Sequence, residues 1–149
     1  MDLIIWRHSD AESDDRDDRA RRLSARGKKQ SRRVAKWLRE RLPRDAIVLA
    51  SPARRAQDTA AALTDRYRID SRLDTGARAR DVLAAAGWPG GSGLVVVVGH
   101  QPALGRAASL ALTGVEADWR IVKGSIWWLG VDEDAASEVI VRAVISPDF

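Results

Sequence analysis

The chain alternates short, wholly apolar runs with longer stretches in which apolar residues recur at helical spacing. Leu3-Ile4-Ile5-Trp6 runs unbroken and stops at Arg7-His8; residues 46–50 and 94–98 repeat the pattern, the latter as Leu-Val-Val-Val-Val. Runs of this kind fit strands covered on both faces, as in a parallel sheet, and the β-branched run 94–98 belongs at its centre. Residues 24–42 place Val34, Trp37, Leu38 and Leu42 at helical spacing, with Ser24 as N-cap and Pro43 as terminator. A second helix is predicted over 53–67 with Ala56, Ala60 and Leu63 inward, then a short strand near Ile69 and an alanine-rich helix over 81–87. Trp88-Pro89-Gly90-Gly91 is a loop; Pro102 stands where a helix over 103–113 begins, and Gly114 closes it. Residues 125–131 and 137–145 read as a hairpin around Asp132-Glu133-Asp134.

Residues 9–22, dense in Asp and Arg, are expected to form a solvated loop; whether it serves as a flap over the strand ends is left open. The predicted fold class is therefore α/β: a three-layer α/β/α arrangement with a mainly parallel central sheet and a C-terminal antiparallel hairpin. One domain over residues 1–149 accounts for the whole chain, with no internal repeat.

Composition narrows the function classes. Cysteine is absent, which excludes disulfides, thiolate zinc sites and cysteine nucleophiles and suits a reducing cytoplasm. No apolar run approaches a membrane span of roughly 20 residues, and Asp2 at the start does not fit a basic signal-peptide region. A soluble, cytoplasmic protein is expected. The net charge of +4 comes from 25 basic and 21 acidic residues mixed along the chain, which argues for solubility before nucleic-acid binding. The cations of the 24–42 helix read as its wet side. The six tryptophans read as packing residues. Trp127 and Trp128, adjacent on a strand, must face opposite ways, so one of them is a candidate for an exposed docking or dimer surface. The oligomeric state is left open.

The candidate chemistry lies where the strands end. In a parallel sheet, Arg7-His8, Ser51-Pro52 and Gly99-His100 all fall on the carboxyl edge, where such sheets bind ligands. Arg55, near the start of the following helix, reaches the same place. Taken singly, a histidine there is an ordinary turn residue and Arg54-Arg55 is surface charge. Convergence of the chain's only two histidines with two arginines and a helix amino terminus instead describes a pocket for an anion such as a phosphate.

These residues also resemble a known family. Arg7-His8 after the first strand resembles the Arg-His-Gly signature of the histidine phosphatase superfamily, whose fold is phosphoglycerate-mutase-like. The stretch from Ser51-Pro52 through Arg55-Ala56 to Thr59 resembles its Ser-Pro-x-x-Arg-Ala-x-x-Thr segment, Gly99-His100 its late histidine, and Leu23-Ser24-x-x-Gly27 its helix start. The small size, Arg-His-x-Asp-Ala and Gly-His-Gln-Pro look most like the SixA-type phosphohistidine phosphatases. Ser9 stands where the family has glycine, and no glutamate fits the acid that many phosphomonoesterases and mutases of the superfamily carry; SixA-type members likewise lack it.

The resemblance implies a covalent phosphohistidine mechanism with His8, Arg7, Arg55 and His100 as catalytic residues. Arg7, Arg55, His100, Ser9 and Gln101 are the expected substrate contacts, with no metal and no cofactor. An N–P leaving group can depart as a protonated imidazole, so the missing acid points to that substrate class. The expected substrate is a phosphohistidine-bearing protein. A small phosphoester on the same fold, or a non-catalytic module binding phosphate or nucleic acid, is the alternative.

Overall fold

The computed structural model describes residues 1–14 and 16–148. Six strands, β1 (Asp2–Arg7), β2 (Ile47–Ala50), β3 (Arg68–Ile69), β4 (Leu94–Gly99), β5 (Ile126–Asp132) and β6 (Glu138–Ile145), form one sheet in the order β3-β2-β4-β1-β5-β6. The β3-β2-β4-β1 half is parallel; β5 runs antiparallel to β1 and β6 to β5. Helices α1 (Ala25–Arg39) and α2 (Arg54–Ala61) pack on one face, and α3 (Ala79–Ala86) and α4 (Ala103–Thr113) on the other. The three-layer, mainly parallel fold with its terminal hairpin is the one the sequence predicts.

The two-residue period of each strand divides the core in two. Leu3, Ile5, Leu49, Val95 and Val97 join α3 and α4, whereas Ile4, Trp6, Val48, Val96 and Val98 join α1 and α2. All of β4 is buried, as expected of the central strand. Each fully buried aliphatic side chain contributes about 1.5–3 kcal/mol relative to exposure, so a charge at Val97 would break the core under α3 and α4.

Trp127 and Trp128 do face opposite cores, Trp127 beside Trp119 at 5.7 Å between centroids and Trp128 edge-on to Trp37 at 6.2 Å. Both are half-buried, so neither offers the free exposed ring considered from the sequence.

Three helix boundaries differ from the pattern by two residues or more, the first being α1, which ends at Arg39, three residues short of Leu42. Helix α2 ends at Ala61, six residues short of the predicted end, because the chain must turn there to enter β3; Thr64 Oγ1 accepts from Arg66 N–H in that turn. Helix α3 starts at Ala79, two residues early, with the Asp81 carboxylate accepting from Arg78 N–H. The acidic segment is exposed along most of its length but is tied down: Ala11 bridges Leu23, Glu12 N–H donates to the Arg22 carbonyl, and Asp18–Ala20 forms a 3-10 turn. Asp15 of that segment lies outside the described residues. Among the described residues, no helix is long and apolar enough to cross a membrane.

Candidate active site

Strands β1 and β4 are paired in register with Arg7 opposite Gly99, so the next residues, His8 and His100, emerge side by side. Their rings lie 5.1 Å apart between centroids, and each residue is only 6% exposed. The convergence expected at the carboxyl edge is thus set by two adjacent parallel strands ending together.

The two imidazoles are held differently. His8 Nδ1 is 2.8 Å from the Ser9 carbonyl oxygen. A carbonyl only accepts, so Nδ1 carries the proton and Nε2 keeps its lone pair. Burial lowers the His8 pKa to about 3, with His100, Arg55 and Arg7 adding repulsion against the donation to Ser9, so the ring is neutral at pH 7. His100 shares a 2.7 Å hydrogen bond between Nε2 and Ser51 Oγ, and Ser51 Oγ also accepts from Ala53 N–H at 3.1 Å. Burial first, and then Arg55, lower the His100 pKa to about 4.

The guanidiniums close the other sides. Arg7 Nη1 donates to the Ile121 carbonyl at 2.8 Å, which anchors the end of β1 to the loop before β5. Its pKa is lowered by burial and by Arg120. Arg55, 5% exposed at the start of α2, donates through Nη1 to the Asp18 carbonyl at 2.8 Å and through Nη2 to the Asp18 carboxylate at 3.2 Å. Among the described residues, the buried side-chain nitrogens and oxygens with no partner number three: Arg7 Nε, Arg55 Nε and His100 Nδ1. All three belong to this site. Two are obligate donors, and buried polar groups are normally paired. An oxyanion is the ligand such a set is short of.

Two expected contact residues are placed otherwise. Ser9 is fully buried; its N–H donates to Thr59 Oγ1 at 3.1 Å and its Oγ accepts from Ser31 at 2.7 Å. The Gln101 amide donates to the Trp119 carbonyl and accepts from Gly105 N–H, both at 2.8 Å. Both side chains therefore brace the turns that carry the histidines.

Several residues that the sequence offered only as parts of motifs take definite roles here. Thr59, within the segment that resembles the family motif, accepts from Ser9 and donates to the Arg55 carbonyl at 2.8 Å, so it couples the two turns. Gly27 lies so close to the Asp10 backbone that a Cβ would stand 1.9 Å from its carbonyl oxygen. Asp10 itself accepts from Ser24 Oγ at 2.6 Å and from Lys123 Nζ at 3.3 Å, and these bonds, Ser24 first, lower its pKa. Asp18 is likewise lowered, by Arg21 first and then Arg55. Neither carboxyl group carries a proton at neutral pH. Among the described residues, no group of three or more His, Asp or Glu side chains is placed to hold a metal ion.

The sequence of residues 3–88 matches the histidine phosphatase superfamily (branch 1). The chain belongs to that superfamily. No curated protein matches it. Among solved structures, the fold is similar to the protein histidine phosphatase SixA complexed with tungstate, with TM-score 0.83, 26% identity and coverage of 99% of this chain and 98% of that one. It is similar also to a protein from Nakamurella multipartitia described as a SixA phosphohistidine phosphatase, with TM-score 0.75, 25% identity and coverage of 98% and 95%. A phosphoserine phosphatase mutant from Entamoeba histolytica in complex with phosphoserine shares the fold at 14% identity and TM-score 0.72, over 98% and 97% of the two chains. Family and fold together support phosphatase activity; the range of substrates named for these neighbours leaves specificity to the site itself.

Proposed function

We propose that this protein is a phosphohistidine phosphatase that works through a phosphorylated His8 and acts on protein phosphohistidine. The observation that carries the reading is the set of unpartnered buried nitrogens on Arg7, Arg55 and His100 beside a neutral imidazole whose Nε2 is free. His8 Nε2 attacks phosphorus in line; the N–P bond of the substrate breaks and an Nε2–P bond forms. The guanidiniums and His100 take the equatorial oxygens, whose charge grows in the transition state. Water then attacks the phosphorus, the Nε2–P bond breaks, phosphate leaves, and His8 returns to its neutral tautomer. Ser51 O–H donating to His100 Nε2 puts the His100 proton on Nδ1, where it serves the phosphate. Ser9 and Gln101 position the two histidines and do not contact substrate.

The leaving group favours an N–P substrate. Asp10, two residues beyond His8, and Asp18, bound to Arg55, are both held as carboxylates by hydrogen bonds and cations, so neither supplies a proton to an alkoxide. A phosphoimidazole whose second ring nitrogen is protonated departs as neutral imidazole and needs none.

The test is a short incubation with a phosphohistidine peptide, acid-free denaturation and intact-mass analysis. One added phosphoryl group on the wild type and none on His8→Ala is the expected result; wild-type turnover by His8→Ala overturns it. Parallel release assays with the same peptide and with phosphoserine set N–P against O–P specificity.

A further inference from the structure

The net charge of the protein is concentrated on one helix. Helix α1 carries seven of the 25 basic residues and no acid; the other 18 bases face 21 acids, so the rest of the chain is net negative. Arg26, Lys28, Lys29, Arg32, Lys36 and Arg39 all lie on its exposed side. Among the described residues, Arg26, Lys28, Lys29, Arg32 and Lys36 make no salt bridge, whereas Arg19, Arg22, Arg72 and Arg106, elsewhere in the chain, are each paired with an aspartate. Uncompensated charge along about 22 Å of helix repels itself, and a wet face alone does not call for it.

That face adjoins the active site. The N-cap of α1, Ser24, hydrogen-bonds Asp10, and Gly27 abuts the Asp10 backbone, so the first turn of the helix forms a wall of the His8 turn. Between α1 and the end of α2 lies a groove of about 570 Å³, floored by Leu23, Ser31, Ala61 and Ala62 and rimmed by Lys28 and Arg32. Arg22 and Asp58 at its edge neutralise one another through a two-pronged contact of 2.9 and 3.2 Å, and Glu12 is the remaining acid. Ser31 in the floor donates to Ser9 Oγ, and the Ser9 carbonyl holds His8; the groove thus backs directly onto the nucleophile's support.

From this geometry we infer that the α1 face and the α1–α2 groove dock an acidic segment of the phosphorylated protein, placing its phosphorylated side chain over His8. This rests on the phosphatase reading for the identity of the group delivered, but the surface has its own test. A protein segment fits better than the other polyanions. The aromatic of α1, Trp37, is packed against Trp128 and covered by Arg41 at 4.2 Å, which leaves no ring for base stacking. The exposed positions of α1 hold no large apolar residue to enter a bilayer. A recessed apolar floor between cations suits alternating acidic and apolar side chains.

The experiment compares three substrates: free phosphohistidine and two peptides of equal length bearing one phosphohistidine, one flanked by Glu and Asp, the other by Lys and Arg. The wild type is expected to prefer the acidic peptide through KM, with the preference weakening as salt rises. The triple variant Lys28→Glu/Arg32→Glu/Lys36→Glu keeps good helix formers. It is expected to raise KM for the acidic peptide by about tenfold while kcat, and turnover of free phosphohistidine, stay unchanged. Equal KM values for the two peptides in the wild type, or a parallel loss on free phosphohistidine in the variant, overturn the proposal. If no phosphohistidine probe is turned over, the activity reading fails, and fluorescence titration of the full chain with the unphosphorylated acidic peptide, a polyuridine RNA and phosphatidylserine vesicles still decides the surface. Saturable peptide binding that the triple variant loses supports the docking role, and binding of RNA or vesicles in its place overturns it.

Discussion

The two histidine turns begin from the same place and end in different states. Each follows the last residue of a buried parallel strand, and the strands are paired Arg7 to Gly99, so backbone geometry treats His8 and His100 alike. Their partners do not. His8 donates to a backbone carbonyl and leaves the Nε2 lone pair free; His100 is bound through Nε2 to a serine hydroxyl and keeps an unpartnered Nδ1. A carbonyl is a fixed acceptor and dictates a tautomer, whereas a hydroxyl can rotate and serve either role. The first turn therefore fixes the tautomer of its ring, as the proposed nucleophile requires, and the second leaves the tautomer to the serine hydroxyl.

Exchanging or removing members of the pair should show that asymmetry. The largest effect is expected from His8→Ala: loss of turnover by roughly 10⁴-fold or more, with no phosphoryl adduct in intact-mass spectra. His100→Ala and Arg55→Ala should each lower kcat by about 10²–10³-fold, as loss of one preorganised charge-stabilising donor does, while leaving a phosphoryl adduct detectable on His8 in a quenched reaction. A complete loss of adduct in His100→Ala would make the two histidines equivalent and erase the distinction.

A smaller effect reports on the supports. Thr59→Val strands the buried Ser9 N–H without an acceptor and should cost about 1–3 kcal/mol in denaturant unfolding, with kcat falling less than in the arginine variant. Gly27→Ala forces the Asp10 segment away, because its Cβ meets the Asp10 carbonyl at 1.9 Å; a lowered Tm accompanied by a raised KM is expected.

The mildest test is pH. Both histidine pKa values are lowered on folding, to about 3 and about 4, from an ordinary value near 6.5. The unfolded chain therefore binds protons that the native protein refuses, and stability falls as pH drops from 6.5 towards those values. His100→Asn should flatten the acid limb of a Tm–pH curve. The kcat/KM profile of the free enzyme should show no titration near 6.5 from either ring, only a loss well below it.

Much of this could be read along the chain because strands and their ends are local facts. An apolar run that stops at Arg-His marks both a strand and its exit, so His8, Arg7 and His100 were findable from pattern and Arg55 from its distance beyond Ser51. The end of α2 was not, since nothing local after Ala61 forbids helix; the turn is imposed by the return into β3. Asp18 looked like any acid of a solvated loop, and only the fold sets its carboxylate on Arg55. Ser9 and Gln101 were expected to meet substrate because they neighbour the histidines, but a side chain next in sequence on a turn points elsewhere, and both found protein partners. The mixed charge of the chain as a whole likewise concealed a helix of one sign.

By itself, then, the sequence determined the elements, the three-layer order and the candidate residues, since periodicity and strand ends are written locally. Tertiary structure alone decided which nitrogen of each histidine is free, which donors are left unpaired, and which carboxylates lie beside them. Those depend on partners such as the Ser9 carbonyl, Ser51 and Thr59 being brought within about 3 Å, a distance set by packing between segments far apart in the chain.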